Sequence, residues 1–243
     1  MGYIKKLLKS QLPGVYVKSL MFGNNIIEDT EHGFFGNMNK IVADTCVQIA
    51  SDAHLSDGFN AIGFSQGGLF LRALAQRCPS LRMHNLISIG GPQQGIYGLP
   101  YCPGATGLCN AVRHLLDYGA YSSIAQKISV QAQYWHDPTT NEHYESRNFF
   151  LADLNCAQWF GYYAPDDSSS PPITMEKTDL FKKDLIGLRT LNATGRLHFL
   201  AIDAQHLQIP TDVFRTQIVD KYLSESVRPT GHHRFQSSSL ESD

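Results

Sequence analysis

The tightest constraint on this chain lies at residues 59–77. A short apolar run, Phe59 to Phe64 (FNAIGF), passes through Gly63-Phe64-Ser65-Gln66-Gly67 into a helical pattern, Leu69 to Arg77 (LFLRALAQR), that ends before Pro79. The pentapeptide has the form G-x-S-x-G, and its flanks are those of a strand that turns sharply into a helix with a serine at the tip. The backbone at such a serine is strained. Glycines two residues to either side remove the side chains expected to collide there. The helix N-terminus favours negative charge beside the serine, and the Gln66 N–H is placed to donate to an oxyanion. The pattern alone is weak: at about 7% usage for each fixed residue, roughly one chain in ten of this length carries it by chance. The preceding strand, Gly68 and the following helix lift it above chance. The competing reading is a glycine-rich turn with an inert serine.

A second strand, Leu86 to Ile89, follows and is broken by Gly90-Gly91-Pro92. Strand, helix and strand within about 30 residues form a βαβ unit, so the expected fold class is α/β with a mostly parallel sheet flanked by helices. Elsewhere the patterns predict a helix over 2–12, stopped at Pro13-Gly14, and a strand over Val15 to Leu20 (VYVKSL). A long helix is expected through Met38, Ile41, Val42, Thr45, Ile49 and Ala50. Further helices are expected over Val112 to Leu116, Tyr121 to Tyr134 and Phe214 to Tyr222, with a late strand over Arg196 to Ile202 (RLHFLAI). From Ser224 the chain has almost no apolar content, so residues 1–223 read as one domain and 224–243 as a disordered tail. The neighbouring His232 and His233 fall in that tail and are expected to be solvated.

Composition excludes several classes. With 243 residues, 42% hydrophobic and 17% charged, the chain is neither disordered nor a coiled coil. Twenty Lys and Arg against 22 Asp and Glu, a net charge of −2, give no electrostatic case for nucleic acid. No run approaches the 18 apolar residues of a membrane span. The basic start, MGYIKKLLKSQ, reads as an amphipathic surface helix; it has no apolar core of a signal peptide, and Lys6 breaks the myristoylation pattern. Nothing points to a cofactor or a metal.

A serine nucleophile needs a base, and His206 lies in Asp203-Ala204-Gln205-His206-Leu207 just after the late strand, where a triad histidine belongs. His198 is less suitable, being inside the strand pattern. Asp153, Asp166, Asp167, Asp179 and Asp184 are available as the acid. None has a strand-then-Asp context, and Asp153, after a short apolar run, is a weak substitute. Of the five cysteines, Cys102 and Cys109 flank a short Pro-Gly turn that a disulfide could close, and the odd count leaves the redox compartment open. Asn192-Ala193-Thr194 is a glycosylation sequon. Trp135-His136-Asp137-Pro138 could be mistaken for an acid–base cluster, but it reads as loop packing.

The stretches AIGFSQGGLFLRALAQRCPS and NLISIGGPQQGIYGLPYCPG closely resemble the palmitoyl-protein thioesterase family, as do QAQYWHDP, FFLADLN, WFGYY and HLQI. The resemblance runs from about Gly2 to Tyr222. It implies an α/β-hydrolase fold and removal of thioester-linked palmitate or other long acyl groups from cysteines of lipidated proteins or peptides. It implies no nucleic-acid partner and a lysosomal or secreted setting. Ser65 then resembles the nucleophile, His206 the general base and Gln66 the residue giving one oxyanion N–H. Cys46 with Cys78, and Cys102 with Cys109, resemble the family's disulfides, which leaves Cys156 unpaired. Set against that family, the chain begins after the N-terminal strand and the loop that supply the second oxyanion N–H. Leu154-Asn155 also runs through Cys156-Ala157-Gln158 directly into Trp159, without the segment that carries the triad aspartate. The expectation is therefore a thioesterase of impaired activity. The alternatives are a non-catalytic variant that binds acylated peptides or partners, and a general serine esterase or lipase.

Overall fold

The computed structural model describes residues 1–23, 26–98, 116, 119–137, 141–161 and 171–224. Contacts divide the chain into two compact units, Leu20–Gln208 and a second made of Met1–Ser19 with Ile209–Asp243.

In the larger unit, β1 (Phe59–Phe64) pairs in parallel with β2 (Met83–Ile89), Ala61 opposite Leu86 and Phe64 opposite Ile89. A register shift lies at Phe59/Asn60, beside a side-chain bond from Asn85 to Asn60 of 2.8 Å. Parallel strands need a crossover, and α4 (Gln66–Arg77) supplies it. Before β1 come α2 (Ile26–Phe34) and α3 (Met38–Ala50); after β2 come α5 (Ser123–Ile128), α6 (Val130–Gln133), α7 (Asn141–Arg147), α8 (Leu151–Leu154), α9 (Asp179–Lys182) and α10 (Leu188–Ala193). Asn37 opens α3 by accepting the Lys40 N–H at 3.0 Å, the expected service of an N-cap asparagine. The core joins Met38, Val42 and Ile49 of α3 to Leu69, Phe70, Ala73 and Leu74 of α4, with Tyr134, Phe150 and Leu151. A disulfide, Cys46–Cys78, ties α3 to the end of α4 across a Cα–Cα distance of 5.9 Å. A satellite cluster holds Met175, Leu180 and Leu188 against Trp159 and Phe160.

In the smaller unit, α1 (Gly2–Gln11) ends at Pro13-Gly14, as its sequence predicts. Its partner in that unit is α11, which begins at Thr211–Val213 and continues over Phe214–Leu223 with wider, π-type winding. The Tyr3 hydroxyl and Thr211 Oγ1 lie 2.7 Å apart.

Three expectations are corrected. Residues 15–20 and 196–202 form no strand. Alternation shows which faces a strand could bury, whereas a ladder needs a hydrogen-bonding neighbour, and the described sheet contains β1 and β2 alone. The helix expected over 121–134 is two helices, because Ser129 adopts an extended conformation and caps α6 with its own hydroxyl. Val112 to Leu115, the Cys102–Cys109 pair and the tail from 225 lie outside the described residues. Among the described residues no helix is long and apolar enough to cross a membrane.

Candidate active site

Ser65 stands at the C-terminal end of β1 with φ 50° and ψ −127°, a region that side chains avoid and that costs about 1–3 kcal/mol. Two backbone bonds hold it there: Ser65 N–H donates to the Ile89 carbonyl at 2.8 Å, and Gly68 N–H donates to the Ser65 carbonyl at 2.8 Å. The neighbouring strand and the first turn of α4 thus fix the serine together.

The glycines divide differently from the motif's symmetry. A Cβ on Gly63 would collide with the Gly67 and Gly68 backbone, and one on Gly68 with the Ser88 side chain, whereas one on Gly67 would meet nothing within 4 Å. The close approach of helix to strand is therefore enforced by Gly63 and Gly68. Gly67 is not required on this ground.

His206 Nε2 lies 3.1 Å from Ser65 Oγ. This is hydrogen-bond distance, and in the tautomer with its proton on Nδ1 the ring accepts from the serine hydroxyl. The loop carrying it is turned by Ala204 N–H to Ile202 O (3.0 Å) and Gln208 N–H to Gln205 O (2.9 Å), with Leu207 at φ 63°. Gly90, at φ 60°, makes room for the ring: a Cβ there would stand 2.9 Å from His206 Cε1. The chain leaving β2 therefore passes directly against the imidazole.

Two groups that the sequence reading did not single out support this arrangement. Arg72 is buried in the middle of α4. It donates to Gln93 Oε1 at 2.5 Å and to Asn155 Oδ1 at 2.6 Å, and its guanidinium lies 4.6 Å from the Trp159 ring centroid. Burial lowers its pKa to about 10. Gln93 in turn donates to Ser88 Oγ at 2.9 Å, so the network reaches the strand beside the serine. The signal was legible, since Arg72 interrupts the apolar run LFLRAL. The second group is Tyr134, whose hydroxyl donates to Gln66 Oε1 at 3.1 Å. It lies in QAQYWHDP, one of the stretches that carry the family resemblance, but nothing in that stretch points to Gln66.

Asp153 is not brought to the pair. Its exposed carboxylate is held by Arg77 at 2.6 Å, and Arg77 closes α4, about 18 Å along the helix from Ser65. Asp179 pairs with Lys183 at 2.7 Å, and Asp184 accepts from the backbone of Arg189 and Thr190. Asp166 and Asp167 lie outside the described residues. His136 is buried and stacked on Tyr144 at 3.7 Å, with Nδ1 2.8 Å from the Gln94 carbonyl oxygen, which is packing, as expected. Asn192 is exposed on α10. Cys156 is a free, exposed thiol. It and Ala157 have φ of 49° and 58°, two successive side chains in a region that costs about 1–2 kcal/mol each.

The family model described as palmitoyl protein thioesterase matches the chain in two blocks, residues 1–158 and 156–206. Palmitoyl-protein thioesterase 1 of Caenorhabditis elegans is 45% identical over 256 residues, covering 92% of this chain and 86% of the relative. Palmitoyl-protein thioesterase 3 of Dictyostelium discoideum is 28% identical over 243 residues, covering 86% and 81%. Lysosomal thioesterase PPT2 of Mus musculus is 27% identical over 177 residues, covering 58% and 57%.

Proposed function

The chain belongs to the palmitoyl protein thioesterase family, and on that premise we propose that Ser65 and His206 hydrolyse thioesters of palmitate or a similar long acyl chain on cysteines of proteins or peptides. The observation that carries this reading is the 3.1 Å between His206 Nε2 and Ser65 Oγ, two groups 141 positions apart in sequence.

In the reaction, Ser65 Oγ attacks the thioester carbonyl carbon while its proton passes to His206 Nε2. Charge gathers on the carbonyl oxygen, where the Gln66 N–H and the start of α4 stabilise it. Collapse breaks the carbon–sulfur bond, leaves the acyl group on Ser65 and releases the thiolate, which takes the proton from His206 as it departs. Water then attacks with His206 as base, releasing the fatty acid and restoring the serine. A cysteine thiol has a pKa of about 8.5, so the thiolate leaves without strong help from a general acid. An alkoxide would need that help.

The two matched blocks of the family model overlap at residues 156–158. That is where the resemblance places the segment bearing the triad aspartate, and where Cys156 and Ala157 take left-handed backbone conformations. Both points support a chain that works without that aspartate. Losing the group that orients the histidine costs on the order of 10⁴ in rate. The expected enzyme is slow, and it prefers thioesters to oxygen esters. In the same reading residues 1–223 form one α/β-hydrolase domain lacking that internal segment, Cys102 pairs with Cys109, and Asn192 carries a glycan. The chain works in the lysosome or outside the cell, which the Cys46–Cys78 disulfide and a lysosomal relative support.

A fluorophosphonate probe tests the nucleophile directly. Labelling that disappears in Ser65→Ala and slows in His206→Ala is the expected result. A folded chain that is never labelled would point instead to a non-catalytic acyl-peptide binder.

A further inference from the structure

We propose that Tyr134 is a positioning residue for the oxyanion donor: its hydroxyl anchors the Gln66 side chain and so holds the Gln66 N–H toward the reacting carbonyl. The inference rests on the Ser65 reading above and adds a residue to it.

Gln66 is the first residue of α4, so its N–H has no acceptor within the helix and is free to serve a ligand. The peptide that carries this N–H follows a serine held at positive φ. The carbonyl end of that peptide, on Ser65, accepts the Gly68 N–H at 2.8 Å, and the Gln66 side chain adds a second restraint at the N–H end. The Gln66 side chain ends on Tyr134, the hydroxyl donating to Oε1 at 3.1 Å across 68 positions of sequence. Tyr134 is well suited as an anchor. Its relative exposure is 6%, and its carbonyl accepts the Ile96 N–H at 3.0 Å, while the His136 N–H returns to the Ile96 carbonyl at 2.8 Å. These bonds fasten it to the loop that follows β2. Burial raises the phenol's pKa, so the hydroxyl remains a neutral donor throughout the working range. The phenol also has the Gln131 side chain as a neighbour, a contact that lowers its pKa against the larger effect of burial.

Tyr134→Phe removes one oxygen and tests the proposal. A full oxyanion donor is worth about 10²–10³ in rate, and a donor loosened but not removed should lose about tenfold in kcat, with KM within about twofold. Inhibition by a palmityl trifluoromethyl ketone, whose serine adduct bears the oxyanion, should weaken by the same factor. The backbone amide signal of Gln66 in a proton–nitrogen spectrum should shift, and its proton should exchange faster with solvent. Should Tyr134→Phe fail to fold, Gln66→Leu cuts the same bond from the other side and is read by the kcat and inhibitor measurements. An unchanged Gln66 amide in folded Tyr134→Phe, or a loss confined to KM, would overturn the proposal. The amide readout needs no turnover. A chain without Ser65-dependent hydrolysis would therefore sink the thioesterase reading, while the Gln66 signal still decides the role of Tyr134.

Discussion

The two halves of the candidate pair are built in opposite ways. Ser65 is set by a strand on one side, a neighbouring strand whose Ile89 carbonyl takes its N–H, and a helix whose residues 68–74 are all buried. His206 hangs on a loop after residues 196–202, a run with the alternation of a strand that pairs with nothing in the described sheet and exposes Phe199 by 66%. The same local signal, an apolar β-rich run, gave a strand where a partner lay beside it and an open segment where none did. Ser65 is therefore rigidly placed. His206 is placed mainly by its contact with Ser65 and by the room that Gly90 leaves for its ring.

This contrast can be broken by comparing substitutions in the two regions. Leu74→Ala, in the fully buried face of α4, should cost about 2–5 kcal/mol in chemical denaturation. Phe199→Ala should stay within about 0.5 kcal/mol, as at other exposed positions. Equal losses would mean that the late segment is paired after all. Replacing Cys46 and Cys78 by serine opens a loop of sequence separation 32 and should cost about 3–4 kcal/mol. A melting temperature unchanged by reductant would contradict that. The glycines sharpen the contrast within the elbow. Gly68→Ala pushes against Ser88 and should cost about 1–3 kcal/mol, whereas Gly67→Ala, with open space and helical backbone, should change stability by about 0.5 kcal/mol or less. Melting curves of the two variants decide it, and the reverse order would show that the motif's second glycine is the steric one.

Much of the Ser65 side was legible in the sequence. FNAIGF and LFLRALAQR became β1 and α4 with little change, because a short apolar run and a 3.6-residue pattern meeting at a glycine-rich turn leave few other solutions. The sequence pointed to His206 by its place after residues 196–202, a run that forms no strand. The steric role passed from Gly67 to Gly68 because the motif describes spacing, while the contact is set by how closely α4 lies on β2 at Ser88. The bonds that Arg72 and Tyr134 make, to Asn155 and Gln66, span 83 and 68 positions, so no local pattern shows them. Asp153 looked like a stand-in acid only while its partner was unknown. Arg77, at the wrong end of α4, claims it.

The proposed Ser65–His206 pair favours thioesters. The direct measurement is hydrolysis of an S-palmitoyl peptide beside its O-palmitoyl counterpart, by the purified chain, Ser65→Ala and His206→Ala. The expected result is slow thioester turnover that falls by about 10²-fold in both variants relative to the unaltered chain, with the oxygen ester cleaved far more slowly still. Thioester turnover that survives Ser65→Ala, or equal rates on the two esters, would contradict it.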